Sequence, residues 1–252
     1  MRILRSEWTK LRSVRSIWIT ILSTVAAGTA LSALGVSDLL GGSPADLPDP
    51  WDPTATSLKG FLFAQLLIGM LGALSITPEY ATGMIGTSLS HVPARSRLLA
   101  AKATVITAIA LVTSLVTALL SFTVVQALFA GADLPSAGLT DPGVPRALTS
   151  ATLYLTLIAL IGVAVGTLTR STTGSLAVLV GGLLLVPAIA PGLPGGLGDW
   201  FGDYWPNTAG QAAYAVIRTE GMIAPGTGLA VLTLTALCIA AASHLAFRVR
   251  DI

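Results

Sequence analysis

Long apolar runs, separated by short charged or Gly- and Pro-rich connections, dominate the chain. A helix crossing the hydrocarbon core of a bilayer takes about 20 apolar residues, and six stretches match that scale: 17–36, 58–77, 102–130, 147–168, 174–190 and 226–247. Their cores hold no Asp, Glu, Lys or Arg, the second core beginning at Gly60 and the third at Ala103. The pattern predicts an all-α integral membrane protein with six transmembrane helices in a single domain over 1–252. The third run is long enough to tilt or protrude, and the fifth is short, ending at Pro187.

The segment before the first run has a different period. Leu4, Trp8, Leu11 and Trp18 recur at helical spacing with Val14 alongside, while Arg2, Arg5, Lys10 and Arg12 lie around the other faces. An N-terminal amphipathic interfacial helix is expected, with Trp8, Lys10 and Arg12 among its membrane-edge residues and its cations near lipid phosphates. It serves either as a plain anchor or as a mechanical element. Basic residues ahead of an apolar run containing Ala26, Ala27 and Ala30 also resemble a cleavable signal. The run has full spanning length and five more follow, so the first span is expected to be retained.

Composition narrows the class. Hydrophobic residues make up 53% of the chain and charged ones 10%, with mean hydropathy +0.80, whereas a soluble domain carries roughly a quarter charged residues. A net charge of +2 does not suit a nucleic-acid partner, which would face a dense basic stripe. The single cysteine, Cys238, allows no internal disulfide and cannot alone form a thiolate metal site.

The few charges orient the chain. Arg2, Arg5, Lys10, Arg12, Arg15, Arg95, Arg97, Lys102, Arg170, Arg248 and Arg250 fall on one side with only Glu7, Glu79 and Asp251. Lys59, Arg146 and Arg218 share the other side with Asp38, Asp46, Asp49, Asp52, Asp133, Asp141, Asp199, Asp203 and Glu220. Short loops rich in Lys and Arg stay cytoplasmic, so both termini are expected in the cytoplasm of a multi-pass protein of the bacterial plasma membrane.

Intramembrane chemistry is sparse. An ionisable group at mid-bilayer usually marks a proton relay, an ion site or a catalytic centre, and the six cores hold no carboxylate or ammonium. This argues against internal proton coupling and, less strongly, against sodium, which backbone carbonyls can bind. Metal hydrolysis needs clustered ligands, yet the histidines are His91, in a loop, and His244, near the cytoplasmic end of the sixth run. No catalytic, cofactor-binding or metal-binding residues are expected. A P-loop ends in Gly-Lys followed by Ser or Thr, and none of the three lysines sits in that context. Energy for active transport must then come from another polypeptide.

One cytoplasmic connection is suited to receive it. After the second span, Thr77 can cap a new helix, Pro78 suits its first position, and Glu79 favours the positive end of its dipole. A short helix follows, and Arg95, Arg97 and Lys102 are expected to return the chain to the anionic inner leaflet.

Together these segments resemble the type-2 exporter class of ATP-binding-cassette (ABC) permeases, especially those of actinobacteria. The resemblance rests on Glu7-Trp8-Thr9-Lys10-Leu11-Arg12-Ser13, on Glu79-Tyr80 with Gly83, Leu89, Pro93, Arg95 and Lys102, and on Pro206-Asn207 with Ala209-Gly210-Gln211. It departs at Gly86, where relatives commonly have a basic residue. The resemblance implies a permease subunit beside a second copy or a paralogue, above two cytoplasmic ABC ATPase subunits that hold ATP and magnesium. The helix of Thr77, Pro78, Glu79, Tyr80 and Gly83, continuing towards Pro93 and Arg95, would be the cytoplasmic coupling helix. The cargo would be hydrophobic or amphiphilic, a drug, antibiotic or lipid-like molecule moved outward, since the spans offer no fixed charge to recognise an ionic headgroup. An ion-driven carrier or channel, a membrane-embedded enzyme and a non-transporting scaffold remain as alternatives.

Before the last span, Trp200, Phe201, Tyr204 and Trp205 form an aromatic group of the kind that favours the membrane interface. The segment is either an ordinary outer loop or, as the resemblance favours, a re-entrant outer segment with Trp200, Trp205, Pro206, Asn207 and Gln211 at the exit. Gly162 and Gly166 form a Gly-x-x-x-Gly pattern that suits close helix approach within the chain better than between copies. The hydroxyls of Thr104, Thr107, Thr113, Ser114 and Thr117 are better suited to packing than to lining a path.

Overall fold

The computed structural model describes residues 2–84, 95–194, 196–219 and 221–249, and every regular element among them is helical. Helix α1 (Arg2–Ser13) meets α2 (Arg15–Leu34) at Val14, whose extended backbone (φ −89°, ψ 114°) breaks the winding. Then come α3 (Pro53–Thr56), α4 (Phe61–Leu74), α5 (Thr77–Ala81), α6 (Arg95–Gly131), α7 (Val144–Thr169), α8 (Thr172–Gly192), α9 (Gly196–Tyr204), α10 (Pro206–Ala212) and α11 (Pro225–Val249).

Among the described residues five helices, α2, α6, α7, α8 and α11, are long and apolar enough to cross a membrane. The second expected run is instead a 14-residue helix, about 21 Å at 1.5 Å per residue and short of a core of about 30 Å. Its ends explain the difference. Phe61 N–H bonds to Leu58 O at 2.9 Å and Leu62 N–H to Lys59 O at 3.3 Å, while Ser75 and Ile76 bond three residues back at 3.2 and 3.1 Å. Such tightened turns join α3, α4 and α5 into one path of three separate α-helical pieces. Pro53 and Pro78 open the flanking helices, where a missing N–H is an orphan in any case.

Helix α6 has 37 residues, about 55 Å, so it protrudes as its length requires. The fifth run does not end at Pro187. Helix α8 passes through a π-helical stretch, Gly181–Leu185, and continues beyond the proline to Gly192.

Helix α7 is the centre of the bundle. Of its most apolar window 78% is buried, against 22% for α2 and α8 and 17% for α11, so those three expose most of their apolar side chains. The Gly162 and Gly166 pattern acts within the chain. A Cβ on Gly162 would stand 1.9 Å from the carbonyl oxygen of Gly69, and one on Gly72 would stand 2.0 Å from that of Ala159. The backbones of α4 and α7 therefore touch at positions that only glycine fits. Close contact also explains how the short α4 stays in register with its longer neighbour.

Gly162→Leu is expected to push α4 from α7 and to destabilise the fold by about 1–3 kcal/mol or more, the range of overpacked cores. Thermal unfolding in detergent measures it. Gly131→Ala, where a Cβ meets nothing within 4 Å, should leave the midpoint unchanged.

Candidate functional site

Four charged side chains from three helices meet at one end of the bundle. Helix α1 carries Glu7 and Lys10 one helical turn apart, with Glu7 on the same buried face as Leu11. Helix α5 brings Glu79 in its first turn, after Ile76 and Pro78 redirect the chain from α4. Helix α6 brings Lys102, which is 1% exposed. The Lys102 ammonium donates to Glu7 Oε2 at 2.6 Å, to Glu79 Oε1 at 2.6 Å and to Ser75 O at 3.3 Å. All three of its hydrogens thus have acceptors. Lys10 Nζ completes the group, 3.1 Å from Glu7 Oε1 and 3.5 Å from Glu79 Oε1.

The two carboxylates and two ammoniums balance in charge, the condition for burying any of them. Burial alone would lower the pKa of the Lys10 ammonium, but hydrogen bonds to Glu7 and Glu79 and their charges outweigh it and hold the group above the ordinary lysine value. Lys102 does not lie on the anionic leaflet as its sequence context suggests. Two carboxylates outcompete lipid phosphates because they are fixed by helices and lie where water does not screen them.

Helix α5 is gripped from other sides as well. Thr172 Oγ1 donates to Thr77 Oγ1 at 2.9 Å, and the Arg170 guanidinium stands 5.2 Å from the centre of the Tyr80 ring, a cation–π distance. Arg170 ends α7 in the left-handed region (φ 53°), its N–H bonded to Gly166 O at 3.0 Å. Gly83 follows α5 at φ +70°, a conformation open to glycine. Trp8 and Arg12 of α1 are exposed. Gly86, Leu89, His91 and Pro93 lie outside the described residues, and Arg95 opens α6 with its side chain outside them as well.

A second polar group sits in α8. Val186 N–H reaches back five residues to Gly181 O, and Pro187 has no N–H to give to Leu183 O four residues before it. The neighbouring carbonyls take donors from elsewhere: Trp205 Nε1 donates to Gly182 O at 2.7 Å, and Asn207 Nδ2 to Leu183 O at 2.9 Å. Gln65 Nε2 of α4 donates to Leu62 O at 3.0 Å and reaches Leu183 O at 3.5 Å, while its Oε1 accepts the Tyr154 hydroxyl hydrogen bond. A proline inside an apolar helix is tolerated because neighbours re-satisfy the backbone. Pro206 opens α10 and so sets Trp205 and Asn207 on either side of the turn. Trp200 is half-exposed, stacked near Tyr204 and edge-on to Phe201. Gln211 lines a cavity of about 1160 Å³ together with Lys59, Asp199, Asp203 and Tyr214.

Sequence reading missed a third arrangement, at the end opposite the charge cluster. Asp52 Oδ1 caps α3 at Thr54 and Ala55 (3.0 and 2.9 Å), and its Oδ2 accepts from Val216 and Ile217 N–H at 2.7 and 2.9 Å. Arg146 donates to Ala213 O and Ala215 O at 3.3 and 2.8 Å. Gln126 joins Pro53 O, Ser57 Oγ and Ala137 N–H. The Asp52-Pro53 pair carried a helix-start signal, but the loop at 213–217, more than 160 residues later, left no mark on it.

Lys102→Met is expected to strand two buried carboxylates and lower stability by about 3–5 kcal/mol, the cost of breaking a buried ion pair from one side. Glu79→Gln keeps the Oε1 acceptor and should cost less, both being read from unfolding midpoints in detergent. At the other site, Asn207→Ala leaves the Leu183 carbonyl short of its best donor and should cost about 1–3 kcal/mol. Faster amide hydrogen exchange around 181–185 would report it.

No curated protein matches the chain. The family model described as ABC-2 family transporter protein matches residues 3–188, taking in the whole charge cluster and Pro187, while Trp205 and Asn207 lie beyond the match. The description fits the apolar helices, and members of the family are membrane subunits that work with an ABC ATPase. With its several spanning-length helices, the chain is a multi-pass membrane protein that belongs to the ABC-2 transporter family and is a permease subunit of an ABC transporter.

Proposed function

We propose that this permease exports a hydrophobic or amphiphilic substrate from the bacterial cell, as a pair with a second copy or a paralogue, using ATP and magnesium held by a separate cytoplasmic ATPase. The whole chain forms one transmembrane domain of six spans, the path through α3, α4 and α5 supplying the second. Both termini lie in the cytoplasm, consistent with the concentration of Arg and Lys on that side. Helix α5 and the residues after it, from Thr77 to Gly83 and on towards Pro93 and Arg95, form the ATPase-coupling region. Trp200, Trp205, Pro206, Asn207 and Gln211 belong to a re-entrant outer segment at the exit.

The observation that carries this reading is the buried joint of Glu7, Glu79 and Lys102. A push on α5 from a nucleotide-driven partner cannot be absorbed locally, because Lys102 ties Glu79 to α6 and Glu7 ties both to α1. The force passes instead to α6, which runs the full depth of the bundle. The chain then rocks between inward-open and outward-open states as a two-state element biased by the partner. At the far side, the outer cavity and the donors on Gly182 and Leu183 carbonyls lie where release would occur. The cargo class follows from the polar groups inside the bundle, Gln65, Tyr154 and Asn207, which are uncharged.

Reconstituted with its ATPase, the permease should support ATP-dependent efflux and should stimulate hydrolysis. Transport driven by an ion gradient without the ATPase would overturn the reading. Glu79→Ala is expected to reduce stimulated ATPase activity several-fold while insertion and partner-independent hydrolysis are retained. Unchanged stimulation would remove α5 from the coupling path.

A further inference from the structure

The break at Val14 leaves a crevice between α1, α2 and α6. Its cavity measures about 510 Å³, and among the described residues that line it Arg12 alone is charged. Trp8 and Leu11 from α1 and Trp18 from α2 form the walls nearest the break, while Ile109 and Val112 of α6 line the inner part. Trp18 is fixed there, since its indole N–H donates to Arg12 O at 2.9 Å. Thr113, also in the wall, spends its hydroxyl on Ile109 O at 2.9 Å, so it adds no free polar group.

Depth and charge both select the occupant. From Lys102, at the level of the charge cluster, to Val112 is ten residues of α6, about 15 Å, half of a hydrocarbon core of about 30 Å. The crevice thus spans about one leaflet. Its charged end belongs to a strongly basic segment: Arg5, Arg12 and Arg15 are exposed, and the acid of α1, Glu7, is already neutralised by Lys102. A ligand with an acyl chain along Ile109 and Val112 and a negative headgroup at Arg12 matches both ends.

We propose that this crevice is a binding site for an anionic glycerophospholipid of the inner leaflet, one acyl chain lying between α2 and α6 and the phosphate on Arg12. The bound lipid fills the gap behind α1 and so braces the helix that carries Glu7. The leaflet assignment rests on the cytoplasmic placement of α1, but lipid binding is measurable without the ATPase and so stands or falls apart from the export reading.

The test is lipid titration of the purified chain by native mass spectrometry. It compares phosphatidylglycerol with phosphatidylcholine of identical chains, and with glycerol phosphate, which has no chain. One phosphatidylglycerol should bind about five-fold more tightly than phosphatidylcholine, the factor expected from roughly 1 kcal/mol per basic contact. Arg12→Ala should erase that preference and leave phosphatidylcholine unchanged. Ala108→Trp, at an exposed wall position, should weaken both lipids at least five-fold, and glycerol phosphate should not compete. Equal binding of the two lipids, an undisturbed preference in Arg12→Ala, insensitivity to Ala108→Trp, or displacement by glycerol phosphate would each overturn the proposal. Both altered positions are exposed, and circular dichroism confirms that each variant retains its helices.

Discussion

A lysine ammonium removed from water and held by two carboxylates from different helices is the contact on which one end of the molecule depends. Removing Lys102 from solvent is unfavourable by several kcal/mol unless its charge and all its hydrogens are matched. Glu7, Glu79 and Ser75 O supply that match at 2.6, 2.6 and 3.3 Å. Because each carboxylate comes from its own element, the pairing fixes where the N-terminal helix and the short helix after α4 lie against α6. Lys10 at the rim shares both acids and keeps the cluster neutral. A neutral cluster can be buried, while a half-built one cannot, so the three helices are placed together or not at all.

The rest of the bundle obeys a related constraint on the backbone. In an apolar surrounding, each carbonyl released from a helix must find a donor. Pro187 and the π-helical stretch release carbonyls in α8, and Trp205, Asn207 and Gln65 meet them. A local irregularity in one helix thereby recruits a segment more than twenty residues away. Helix α7 holds both ends in relation. Its glycines admit α4 to backbone contact, its Tyr154 bonds Gln65, and Arg170, which caps its C-terminus, lies over the Tyr80 ring of α5.

These two sites have opposite characters. The charge cluster is ionic and spans three elements, which makes it costly to break. The group around α8 consists of single neutral hydrogen bonds, each worth about 0.5–1.5 kcal/mol net, so it can part at smaller cost.

Sequence alone determined the class of environment and five of the long apolar helices. Apolar runs of spanning length, and charges sorted into basic and acidic connections, follow from transfer free energies that each residue carries wherever it lies. The motifs from Glu7 to Ser13, around Glu79 and from Pro206 to Gln211 pointed to the family, which the match over 3–188 bears out. Tertiary structure alone decided which charges meet. Lys102 looked like one more cation for the leaflet because nothing local distinguishes it from Arg97. Its partner Glu7 is 95 residues away, and pairing depends on helix positions that no single segment encodes. The same holds for Pro187, a helix stop by its own chemistry, which became an interior residue once Asn207 came close enough to satisfy Leu183. Hydrophobicity is a property of the residue and is legible in order along the chain, whereas satisfaction of a buried charge or carbonyl is a property of a place.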